Sequence, residues 1–76
     1  MHHTFYELWN TRSRNRCGEY DSQDAALAAI RRIIAVHGRD TVEGLALNTD
    51  DGDGHGAIVA HGAALIALAE RQEHVA

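Results

Sequence analysis

Asp51-Gly52-Asp53-Gly54-His55-Gly56 is the segment of this 76-residue chain that comes nearest to an ion-binding pattern. Counted from Asp51, a calcium loop takes oxygen ligands at positions 1 and 3 and a glycine at position 6, and all three are present. Position 5 is His55, however, and position 12, where a bidentate glutamate should close the coordination sphere, is Gly62. The segment therefore reads as an exposed acidic turn. Six histidines raise the question of a transition metal. His37, His55, His61 and His74 lack the paired spacing of a zinc site, and one cysteine cannot anchor a thiolate cluster. Met1-His2-His3 can chelate Cu(II) or Ni(II) in a square plane, as any peptide with histidine third can. His37 falls in an apolar stripe near a helix C-terminus, where a partly buried structural histidine is expected. No metal ion and no cofactor is expected.

Two further groups could do chemistry. Cys17 would need a histidine or a cation beside it to act as a nucleophile. Arg16 is its neighbour in sequence, but adjacent strand residues point to opposite faces. Neither an acid–base pair nor a phosphate-binding loop is visible, so an enzyme is not the favoured reading. Arg12, Arg14 and Arg16 alternate, and an extended ribbon would present all three on one face, suited to a phosphate backbone.

Composition weighs against nucleic acid. The net charge is −4, and the seven basic residues are all arginine. Arginine without lysine suits forked recognition of phosphate or carboxylate, but it also matches the codon usage of a GC-rich genome. The distribution says more. Residues 1–38 hold five arginines against Glu7, Glu19, Asp21 and Asp24, a net of +1. Residues 39–76 hold two against Asp40, Glu43, Asp50, Asp51, Asp53, Glu70 and Glu73, a net of −5. The basic tip at Arg12, Arg14 and Arg16 thus has an acidic counterpart at Asp50, Asp51 and Asp53, which suits protein–protein pairing.

The elements that must position these residues follow from periodicity. Thr4–Asn10 is a strand dense in aromatic residues, Thr11–Asn15 a polar turn with Asn15 at positive φ, and Arg16–Tyr20 the returning strand. Asp21 caps a helix that runs to His37 and stops at Gly38, with Asp24 in its first turn. Ala26, Leu27, Ile30, Ile33 and Ile34 form its apolar stripe. Val42–Thr49 is the third strand, the aspartate–glycine pairs mark a hairpin, and Ala57–His61 returns. A second helix begins near Gly62 or Ala63 and fades around Glu73. The expected fold is α+β, two ββα units forming a four-stranded antiparallel sheet with both helices on one face.

A gapless offset of 38 residues lays one half of the chain on the other. Asn10-Thr11 meets Asn48-Thr49, Gly18 meets Gly56, and Ala25-Ala26-Leu27 meets Ala63-Ala64-Leu65. A single domain, 1–76, with an internal pseudo-repeat of 4–37 and 42–75 is expected. Under this offset Ile66 replaces Ala28, on the flank of the stripe, where a monomer would leave it wet. So small an alanine-rich core without a disulfide calls for another source of stability, and a homodimer is expected, with Ile66 or a sheet edge at the contact. One thiol, no leader and no apolar run of membrane length suggest a cytoplasmic protein.

Tyr6-Glu7-Leu8-Trp9-Asn10, Gly18-Glu19-Tyr20-Asp21-Ser22 and Ala25-Ala26-Leu27 resemble short uncharacterised bacterial proteins. In that group a hairpin Y-x-L-(x)-N…G-x-Y-D-(S/T) runs into an Ala/Leu helix. The likeness continues through Gly44-Leu45-Ala46-Leu47 and His61-Gly62-Ala63-Ala64-Leu65. It implies a fold and carries no activity. The function expected first is a non-enzymatic interaction or regulatory module that self-associates, with a further protein partner allowed. A nucleic-acid binder using Arg12, Arg14 and Arg16 is the alternative, and a small enzyme comes third. Calcium titration followed by NMR should leave the Asp51 and Asp53 amide shifts unchanged. A saturable shift at roughly micromolar calcium would restore the ion site.

Overall fold

The computed structural model describes residues 4–52 and 56–73. Two hairpins supply the sheet: β1 (Phe5–Asn10) with β2 (Asn15–Tyr20), and β3 (Leu45–Asp50) with β4 (Gly56–His61). Between them run α1 (Gln23–His37) and a single turn, α2 (Arg39–Val42); α3 (Gly62–Glu73) follows β4. The sheet is antiparallel throughout, in the order β2-β1-β3-β4. α1 packs on β1 and β2, α3 packs on β3 and β4, and the helices touch each other. Both therefore cover one face, as the sequence predicts, and the molecule is a slab of 35 × 34 × 17 Å.

The core lies between the sheet and that helical layer. Leu8 and Leu47 are directly opposite in the β1–β3 register and fully buried. Leu27 and Ile30 of α1 and Leu65, Ile66 and Ala69 of α3 close over them, with Val42 sealing one end. Polar ties hold the helices in place: the Arg31 guanidinium donates to the Ala69 carbonyl at 3.2 Å, and Arg39 pairs with Glu70. Among the described residues no helix is long and apolar enough to cross a membrane.

Several local expectations are corrected. Ser22, not Asp21, caps α1: its hydroxyl accepts from the Ala25 amide at 3.1 Å. Gly38 ends the helix at φ 90°, as expected, and its amide donates to the Ile34 carbonyl. His37 is exposed and not part of the core. The third strand begins at Leu45, because residues 39–42 form a helical turn that drops Val42 into the core. The positive φ of the first turn belongs to Arg14, at 61°, and not to Asn15.

The largest correction concerns Ile66. It is 8 % exposed within a single chain and belongs to the core. The 38-residue offset places it one position too far round the helix. Buried Ala26, Leu27 and Ile30 correspond to buried Leu65, Ile66 and Ala69, an offset of 39, so Ile66 does the work of Leu27. The strands agree. Leu8–Trp9 of β1 and Leu47–Asn48 of β3, the steps across which the register of each hairpin shifts, are also 39 apart.

Two glycines are held by close approach. A Cβ at Gly56 would lie 2.4 Å from the Thr49 carbonyl oxygen, whereas one at Gly18 would meet the Tyr20 ring, which can swing aside. Gly56→Ala should therefore cost about 1–3 kcal/mol, and Gly18→Ala less. Ile66→Ala should cost about 2–5 kcal/mol at every protein concentration, as a core truncation does. Urea denaturation of the three variants checks both. An Ile66→Ala loss that appears only where the chain associates would return Ile66 to an interface.

Candidate functional site

The face of the sheet opposite the helices carries the side chains that sequence reasoning did not group. Residues directly opposite in register share a face, so Glu7, Asn48 and Ile58 lie in one row across β1, β3 and β4. Trp9, Ala46 and Arg16 form the next row, and Phe5, Asp50 and Gly56 the row on the other side. A groove of about 340 Å³ runs over this surface, lined by Glu7, Trp9, Asn48, Asp50 and Ile58 among others.

The groove combines apolar walls with acceptors on its floor. Ile58 projects, 68 % exposed, from β4. Trp9 is half-buried, and Ala46 opposite it is only 7 % exposed although no helix covers this face. Cover of that kind needs a large neighbour, and the indole of Trp9 meets that description. Glu7 and Glu19 sit directly opposite each other, a like-charge pair that Arg16 bridges at 3.0 and 3.4 Å. The Glu7 side chain is 14 % exposed, so the bridge also offsets its partial desolvation. Asn48 Oδ1 is buried and has no hydrogen-bond partner among the described residues.

The hairpin tips stand at diagonally opposite corners of this face, because β1 and β3 are neighbours that run in opposite directions. In the first tip Asn10 Oδ1 accepts from the Arg12 and Ser13 amides at 3.0 and 3.1 Å. Thr11 donates to the Gly44 carbonyl through both its amide and its hydroxyl, pinning the tip to the start of β3. Arg12 lies over Gly44. In the second tip Asp50 Oδ1 accepts from the Gly52 amide at 2.8 Å, with Gly52 at φ 85°. The turn-forming role of Asn10 thus passes to Asp50 and not to Asn48, which the 38-residue offset had paired with it.

The structure does not align the three arginines as an extended ribbon. Arg12 and Arg14 sit in the turn, Arg16 alone is on a strand, and its guanidinium is engaged by two carboxylates. Asp50 and Asp51 lie together at the opposite corner; Asp53 is outside the described residues. Cys17 is exposed at the register shift of the outer strand β2, and His61 ends the other outer strand, β4, with two strands between them. Among the described residues no three His, Cys, Asp or Glu side chains converge on one point. The open face is not legible in the sequence because Trp9 and Ile58 are 49 residues apart and come to line one groove only through the β1–β3 and β3–β4 pairings. Comparison with family models, with curated proteins and with solved structures gives no match for this chain.

Asn48→Val removes the orphaned acceptor and places a β-branched residue in a strand. It should raise the urea midpoint of the dilute protein, by about 1 kcal/mol or more in stability. A drop in stability would mean that Oδ1 has a partner in the folded chain.

Proposed function

We propose that this chain is a non-enzymatic interaction module that self-associates. The observation that carries the reading is the uncovered sheet face, where a projecting Ile58, a half-buried Trp9 and an orphaned acceptor share one groove. An antiparallel sheet can leave one face wet, but a solvated face is usually polar. This one places apolar side chains beside a buried acceptor, an arrangement that docking improves on both counts. Catalysis has less support. The groove's ionisable groups are the carboxylates of Glu7 and Asp50, with Glu7 already held in an ion pair by Arg16, and among the described residues that line it no nucleophile stands beside a base.

Sedimentation equilibrium should show a reversible dimer at roughly tens of micromolar protein, dissociating on dilution. A monomer across that range would overturn the reading.

A further inference from the structure

The open sheet face is flanked by hairpin tips of opposite charge, Arg12 and Arg14 at one corner and Asp50 and Asp51 at the other. We propose that it docks against the same face of a second copy, the two sheets crossing near a right angle and each basic tip seated on the other copy's acidic tip. This deepens the self-association reading and rests on it.

The geometry follows from the strand order. The tip carrying Arg12 and Arg14 occupies one corner of the sheet, and Asp50 and Asp51 occupy the diagonally opposite corner. When two such faces meet, a two-fold axis along the other diagonal exchanges these corners. Each basic corner then falls on an acidic one, twice per dimer. An axis along the diagonal that joins the tips would place like on like, and axes along or across the strands would leave the tips unopposed. The favoured axis turns the strands of one copy about 90° to those of the other, one of the two ways in which sheets pack face to face. A contact of this kind is isologous and closed, so it stops at two copies.

Area and chemistry are consistent with this arrangement. Four strands about 4.8 Å apart and six residues long give a footprint of roughly 400 Å² per copy. Two faces contribute roughly 800 Å², and two pairs of tips bring the total near the roughly 1,000 Å² of a specific contact. Ile58, on the outer strand β4, and Trp9, on the inner strand β1, supply the apolar part of the face. The charges lie at the corners, where they select the orientation. Two other surfaces have less to identify an occupant. Val36, 74 % exposed on α1 beside Ile33 and Tyr20, has no complementary feature opposite it, and both sheet edges are irregular at their register shifts.

Charge exchange tests the arrangement directly. Arg14→Glu alone should face Asp51 of the second copy, and Asp51→Arg alone should face Arg14, each weakening the dimer about tenfold or more. Mixing the two variants should restore association, because every corner contact in the mixed dimer is again of opposite charge. Trp9, the chain's single tryptophan, gives a second measurement on the unaltered protein: acrylamide quenching should fall as concentration rises through the dimer midpoint. A dimer in which mixing restores nothing and quenching stays constant would overturn this interface and leave self-association standing. A monomer at every concentration would overturn both.

Discussion

The pairing of β1 with β3 is the contact on which the rest of the structure depends. Each hairpin is held together by neighbours in sequence, and within the sheet it is this seam that joins the halves, bringing Leu8 opposite Leu47. It sets both faces at once. On one side the two leucines become the floor on which Leu27, Ile30, Leu65 and Ile66 close. On the other it brings Trp9 to Ala46 and Glu7 to Asn48, and so creates a surface that neither hairpin has alone. The antiparallel direction of the seam also sends the tips to opposite corners.

One face is closed and the other open because the chain has helices for only one layer. Most of its large apolar residues are spent beneath α1 and α3, and what remains on the far side is Trp9, Phe5 and Ile58 among charges and amides. The Glu7–Arg16–Glu19 bridge shows how closely balanced this face is: two carboxylates are tolerated in opposition because one guanidinium spans them. Asn48 is less well provided for.

Much of the architecture was legible in the sequence because local signals fix local structure. Alternation, an aspartate–glycine turn, a capping region and Gly38 placed the elements to within a few residues. Errors arose where a pattern admits a shift of one. Asp21 and the adjacent Ser22 are both of the residue types that cap helices, and it is the Ser22 hydroxyl that accepts from the Ala25 amide. Ile66 was misplaced because one residue of offset rotates a helix by about 100°, enough to exchange flank for core. Val42 fits a strand by its branching, yet tertiary burial placed it in a helical turn. The open face was not legible at all, since its residues are assembled by the seam and no local rule predicts which strands pair.

The seam also bears on the chain's history during synthesis. β1, β2 and α1 emerge from the ribosome before β3, and at that stage Leu8 and Ile30 lack half of their covering. Nothing can complete that half until Leu47 is available, some forty residues after Leu8. Until then the nascent hairpin and helix expose an apolar surface and an unpaired strand edge, the features that chaperones engage. For this fold, consolidation is a late event and cannot proceed element by element as the chain is extended.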